Sequence, residues 1–103
     1  MKPAPLPMVQ QIEDLLRDAE ASLATVEDTL TQGYAQALQL EAERLRLERR
    51  IGEVARATDA DQAAEIRRLG TKLTSADGEL QRLRSVLDTL ADRARALRAA
   101  ATR

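Results

Sequence analysis

The clearest pattern in this chain lies between residues 66 and 97, which read IRRLGTKLTSADGELQRLRSVLDTLADRARAL. Apolar residues recur there in alternating steps of three and four, the spacing of positions a and d in a heptad repeat. No polar residue interrupts this row, so the stretch predicts one long amphipathic helix, which we place at residues 61–101. The members of the row are Ile66, Leu69, Leu73, Ala76, Leu80, Leu83, Leu87, Leu90, Ala94 and Leu97, and Ala101 continues it beyond the quoted stretch.

A second row with the same spacing occupies the first half of the chain. Only Gly33 and Arg44 in this row are not apolar, and the row predicts a helix over residues 8–57. Between the two rows, Asp59 and Gln62 have the spacing of a capping box, which places a turn at residues 58–61. The members of this row are Val9, Ile12, Leu16, Ala19, Leu23, Val26, Leu30, Gly33, Ala37, Leu40, Arg44, Leu47, Ile51 and Val54.

The two rows complement each other when the chain is folded back about Ala60. Gly33 then lies opposite Leu87, so that a small residue faces a large one. Arg44 faces Ala76, where its stem can cover the contact while the guanidinium group reaches water. This agreement predicts an all-α protein whose fold is a long antiparallel helical hairpin, that is, a two-helix coiled coil.

The distribution of charge favours the same arrangement. Residues 1–48 hold nine acidic and four basic residues, whereas residues 49–103 hold eight acidic and twelve basic ones. Each exposed ion pair contributes only about 0–1 kcal/mol, but together the pairs select the antiparallel orientation. The pairs expected to meet are Arg98 with Glu20 and Glu27, Arg84 with Glu41, Arg50 with Glu65, and Lys72 with Glu43.

Two other architectures use the same helical pattern. A single long helix in a parallel dimer would stack Arg44 on Arg44 of the second copy. A break at Gly33 would give a three-helix bundle, since a glycine inside a helix costs about 1 kcal/mol. Because the apolar row passes through Gly33 without a change of phase, we favour the hairpin. It forms one domain over residues 8–103, after a flexible Pro-rich lead-in at residues 1–7.

A two-helix hairpin buries only one contact surface, so we expect additional contacts to stabilise it. In the predicted hairpin, the start of the first helix projects beyond the end of the second and exposes an apolar cluster. A homodimer would cover this cluster with the second copy, and a different protein partner of unknown identity is the alternative. The cluster consists of Met8, Val9, Ile12, Leu15 and Leu16.

A second apolar group, formed by Tyr34, Leu38 and Leu45, lies on one side of the first helix and away from the predicted helix contact. We expect two hairpins to dimerise into a four-helix bundle, with this group on its inner face. The alternative is a docking site for a foreign helix or peptide, with Tyr34 as the anchor. Both interpretations make the group a protein contact surface.

Composition excludes several kinds of chemistry. The 103 residues include no cysteine and no histidine, so thiol nucleophiles, zinc–thiolate sites and histidine bases are excluded. The four glycines stand apart, so the chain has no Gly-rich phosphate loop. We therefore expect a non-enzymatic structural or adaptor protein without a cofactor or metal, such as an assembly factor, a chaperone or a small protein inhibitor.

An Arg-dependent nucleic-acid-binding accessory protein is the alternative function. Arg93, Arg95 and Arg98 belong to a basic C-terminal stretch that could contact phosphates. The net charge of −1 and the lack of neighbouring aromatic residues weigh against this alternative. Prolines follow Lys2 closely and no apolar run is long enough for a bilayer, so we expect a cytoplasmic protein without membrane contact.

Overall fold

A computed structural model describes residues 7–57 and 60–102, and these residues form helices and no strand. The helices are α1 (Met8–Arg17), α2 (Leu23–Arg56) and α3 (Gln62–Ala101). The all-α prediction is therefore confirmed for the described residues. Most of the predicted lead-in, together with Thr58 and Asp59 of the predicted turn and capping box, lies outside them.

The continuous helix predicted over residues 8–57 is wrong, because the chain leaves the helical conformation at residues 18–22. Asp18 follows α1 with φ −88° and ψ 100°, which is extended backbone. Ser22 then caps α2, since its hydroxyl oxygen accepts a hydrogen bond from the backbone N–H of Thr25 at 3.2 Å. The break considered at Gly33 does not occur, and α2 continues through that residue.

The chain divides into two compact units, and α2 and α3 contribute to both. The first unit comprises Met1–Ala37 and Arg82–Arg103, and therefore holds α1, the first part of α2 and the last part of α3. The second unit comprises Leu38–Gln81, and therefore holds the remaining parts of α2 and α3 with the connection between them.

Three helices surround the core of the first unit. Gly33 allows them to approach, since a Cβ atom there would lie 2.5 Å from Cδ2 of Leu87 and 3.4 Å from Cδ1 of Ile12. The predicted contact between Gly33 and Leu87 is thus confirmed, and α1 adds a third helix to it. The most deeply buried side chains of this unit are Ile12, Val26, Leu83, Leu87, Leu90 and Ala94.

In the second unit, α2 and α3 run in opposite directions. Nη1 of Arg44 lies 3.6 Å from Oδ1 of Asp77, and one turn and a half later Nη2 of Arg50 lies 3.4 Å from Oε1 of Glu65. The predicted pairing of Arg50 with Glu65 is confirmed. Near the end of α2, the side-chain amide of Gln62 donates hydrogen bonds to the carbonyl oxygens of residues 54 and 55, both at 2.9 Å. These bonds add a donor to the carbonyl oxygen of residue 55 at the helix end and a second donor to that of residue 54, which also accepts a hydrogen bond from the backbone N–H of Ala57 at 3.1 Å.

Candidate functional site

The apolar cluster predicted at a projecting helix end lies on α1, which packs against its own chain. Ile12 has no exposed surface and contacts the gap at Gly33, so it is not available to a partner in this arrangement. The predicted projection is wrong because the chain turns back at residues 18–22. The other members of the cluster, which are half-buried, are Met8, Val9, Leu15 and Leu16.

Arg93 of α3 holds the C-terminal end of α1. Its Nη1 donates a hydrogen bond to the carbonyl oxygen of Leu16 at 2.9 Å, and its Nη2 donates one to the carbonyl oxygen of Asp18. The last carbonyl groups of a helix lack intrahelical partners and carry partial negative charge, so a guanidinium group suits this position. An arginine considered for phosphate contact thus fixes α1 to α3.

The other two arginines of the nucleic-acid alternative also have partners within the chain. Nη2 of Arg95 contacts the carboxylate of Asp92 one turn earlier on α3. Nε of Arg98 lies 3.5 Å from Oε1 of Glu27, which confirms another predicted pair. Binding of nucleic acid stays a prediction, and it would require these three side chains to exchange their present partners.

The most exposed large apolar side chains of the described residues lie on α2. Leu38 exposes 66% of its surface, and Tyr34 and Leu45 each expose 48%. Tyr34 belongs to the first unit, whereas Leu38 and Leu45 belong to the second. Their exposure agrees with the prediction that they lie away from the contact between α2 and α3, while their role in protein contacts stays a prediction.

Within the second unit, the exposed residues form a short row that follows the same heptad spacing as the buried one. Leu38, Ala42 and Leu45 are separated by four and three residues, and all three are exposed. Residues at these separations lie on one face of a helix. We refer to Leu38, Ala42 and Leu45 as the outer row. This part of α2 therefore carries two apolar rows, one packed on α3 and one at the surface.

The described residues offer few groups for catalysis or metal binding. None of their polar or charged residues is buried, and none of their acidic side chains gathers in a group that could hold a metal ion. A shallow cavity of about 140 Å³ lies near the connection of α2 and α3, where Arg50, Gln62 and Glu65 contribute to its lining. Typical ligand pockets have volumes of about 300–1,000 Å³, so this cavity is small for a ligand.

Sequence reasoning did not identify the seat of α1, which is formed by Gly33, Leu87 and Arg93. The glycine was a usable signal, because a small residue in an apolar row marks a place where another helix can approach closely. Arg93 carried no such signal, since arginines are frequent throughout the second half of the chain.

Comparisons with protein-family models, with curated proteins and with solved structures found no match for this chain. No helix in the described ranges is both long enough and apolar enough to cross a membrane. The outer row and the docked helix α1 are therefore the two features from which a function can be inferred.

Proposed function

We propose that this protein is a non-enzymatic structural or adaptor protein that acts through helix–helix contacts and forms a homodimer. The outer row carries this proposal. Leu38 and Leu45 expose 66% and 48% of their surfaces in the middle of a 34-residue helix whose opposite face is already packed. Fully burying a leucine side chain contributes roughly 1.5–3 kcal/mol, so covering this row favours association.

In the proposed dimer, α2 of one copy packs on α2 of the other along the outer rows, so that four helices associate with the two α3 segments on the outside. Ala42 supports this arrangement because a small residue between two leucines lets another helix approach closely. An amphipathic helix of a different protein could bind the same row in an assembly factor, a chaperone or an inhibitor.

The double variant Leu38→Glu/Leu45→Glu tests this proposal. Light scattering after size-exclusion chromatography should give the mass of two chains for the wild type and of one chain for the variant. Helicity measured by circular dichroism should not change, because both side chains are exposed in the single chain. At dilutions where the wild type remains a dimer, the variant should be a monomer.

A matched control separates the loss of apolar surface from the change of charge. Gln39→Glu/Arg46→Gln changes the net charge by the same amount at the two exposed positions that directly follow the leucines. This control should keep the mass of the wild type. If Leu38→Glu/Leu45→Glu also keeps that mass, the outer row is not a dimer contact and the proposal fails.

A further inference from the structure

We propose that α1 is an exchangeable helix: the seat that it fills on α2 and α3 also accepts α1 of a second copy, and residues 18–22 act as the hinge. This inference rests on the proposed function in one respect, namely that the protein acts through helix–helix contacts between copies of the chain. It uses residues of the first unit and none of the outer row, so the two proposals can fail separately.

The seat is a defined binding site for one short helix. It offers an apolar gap at Gly33, beside Leu87, in which Ile12 becomes completely buried. It also offers the guanidinium group of Arg93, which binds two carbonyl oxygens at the end of α1 across 75 and 77 residues of sequence. These contacts recognise a helix with an apolar side chain in its middle, the carbonyl oxygen of Leu16 at its end, and the carbonyl oxygen of Asp18 in the following turn, which also accepts a hydrogen bond from the backbone N–H of Ala21 at 3.3 Å. None of them requires that helix to belong to the same chain.

The attachment of α1 is small in comparison with the packing of α2 on α3. The helix has ten residues, and Ile12 is the one residue within it that is fully buried. An isolated helix of this length is marginal in water, so α1 depends on its seat for its structure. Elements with few buried contacts open at a lower free energy than the core of a protein does. We therefore expect α1 to leave its seat while α2 and α3 remain paired.

The hinge can form either a turn or a helix. Residues 18–22 read DAEAS, contain no glycine or proline, and include residues that favour helix. The apolar spacing also continues across them, from Leu16 through Ala19 to Leu23. A helix through this segment would carry α1 away from its own seat with its apolar face exposed.

Two side chains hold the segment in its present turn. Oδ1 of Asp18 accepts a hydrogen bond from the backbone N–H of Glu20 at 3.0 Å, and the hydroxyl of Ser22 caps α2. In a reciprocal dimer, Ile12 of each chain would fill the gap at Gly33 of the other, whereas a helical hinge would pair the carbonyl oxygens of Leu16 and Asp18 with the N–H groups four residues later and release Arg93. The balance then lies between the helix gained at the hinge and both the hydrogen bonds of Arg93 and the entropy lost on association, so exchange depends on protein concentration.

The first experiment asks whether the seat accepts α1 from another molecule. The acceptor is the full chain with Ile12→Glu, which disables its own α1, and the probe is a fluorescent peptide of residues 7–22. Saturable binding measured by anisotropy is expected, and it should weaken at least tenfold when the acceptor also carries Arg93→Ala. The same peptide carrying Ile12→Glu should not bind. Equal binding of both peptides, or no binding of either, would overturn the proposal.

The second experiment tests exchange between full chains. All chains carry Leu38→Glu/Leu45→Glu, so that the outer row does not contribute to the measured mass. Ser22→Ala removes the cap of α2 and should promote dimers, whereas Ser85→Ala on the exposed side of α3 serves as the control and should not. Glycine disfavours a helix by about 1 kcal/mol relative to alanine, so Ala19→Gly should make the helical hinge less favourable. The dimer should therefore dissociate about fivefold more readily for each hinge, or roughly 25-fold for both hinges.

The outcomes separate the two proposals. If the Ser22→Ala and Ser85→Ala chains both have the mass of one chain at every concentration, then α1 does not exchange. The result of the outer-row experiment is unaffected by this outcome. If the wild-type chains form a dimer and Leu38→Glu/Leu45→Glu does not disrupt it, the outer row is not the dimer contact. The peptide measurement would still be evidence that the seat accepts α1 of another chain.

Discussion

Gly33→Ala is expected to destabilise the protein, whereas Gly70→Ala and Gly78→Ala are expected to stabilise it. All three glycines lie inside long helices and none has a positive φ, so alanine gains about 1 kcal/mol of helix propensity at each position. At Gly70 and Gly78 the new methyl group meets no atom within 4 Å, so this gain is realised in full.

At Gly33 the new methyl group collides with the core. It would lie 2.5 Å from Cδ2 and 3.5 Å from Cγ of Leu87, whereas carbon atoms in contact prefer separations of about 3.5–4.0 Å. Leu87 is only 1% exposed and cannot turn towards solvent, and Ile12 closes the other side of the gap. Overpacking of this kind costs about 1–3 kcal/mol, which offsets the propensity gain and leaves a net loss of up to about 2 kcal/mol.

Urea unfolding followed by far-ultraviolet circular dichroism measures these differences. Gly33→Ala should unfold at a lower urea concentration than the wild type, and Gly78→Ala at a higher one. Thermal midpoints should differ in the same order, by about 4–8 °C for each kcal/mol in a domain of this size. If Gly33→Ala stabilises the protein as much as Gly78→Ala does, then α2 and α3 do not approach closely at Gly33 and the packing described for the first unit is wrong.

Three further predictions concern arginines. Arg93→Ala should accelerate hydrogen exchange along α1 by about tenfold or more, because two carbonyl groups lose a charged donor, whereas exposed Arg95→Ala should not change it. Replacing both members of the ion pair, as in Arg44→Leu/Asp77→Leu, should keep or raise the midpoint of urea unfolding, because Nε of Arg44 and Oδ1 of Asp77 are shielded from solvent without hydrogen-bond partners. Arg44→Leu alone should give a lower midpoint, because it removes the ion-pair partner of Asp77, and the reverse order would contradict this reasoning. If the nucleic-acid alternative holds, the protein should bind generic duplex DNA more weakly as the salt concentration rises, and Arg93→Ala/Arg95→Ala/Arg98→Ala should abolish this binding. The absence of binding at low salt would remove that alternative.

The pairing of α2 with α3 was predictable because heptad spacing is a local property and two such rows must meet in register. Folding the chain back places Gly33 beside Leu87 and Arg50 beside Glu65, and the structure has both contacts. The exceptions within the rows were informative, since a glycine and an arginine each fit only particular neighbours. Register could therefore be worked out from residue types without knowledge of the three-dimensional structure.

The separate helix α1 was not predictable in the same way. The apolar spacing continues unchanged across residues 18–22, and no glycine or proline marks the break. The break depends on contacts between residues far apart in sequence, namely Ile12 in the gap at Gly33 and the hydrogen bonds from Arg93. Ser22 was a possible cap signal, but a serine alone does not distinguish a helix start from an exposed position inside a helix.

The candidate contact surface was predictable in part. Tyr34, Leu38 and Leu45 were expected away from the contact between α2 and α3, and all three are exposed. Ala42 was not recognised as the residue that joins Leu38 and Leu45 into a row. The identity of whatever covers the row is a property of two molecules, so neither the spacing nor the contacts within one chain contain it.

Sedimentation equilibrium of the wild-type chain over a wide range of concentrations tests the proposed self-association most directly. The outer row predicts the mass of two chains, with dissociation to single chains on dilution and a much weaker dimer for Leu38→Glu/Leu45→Glu. A wild-type mass of one chain at every concentration would contradict it.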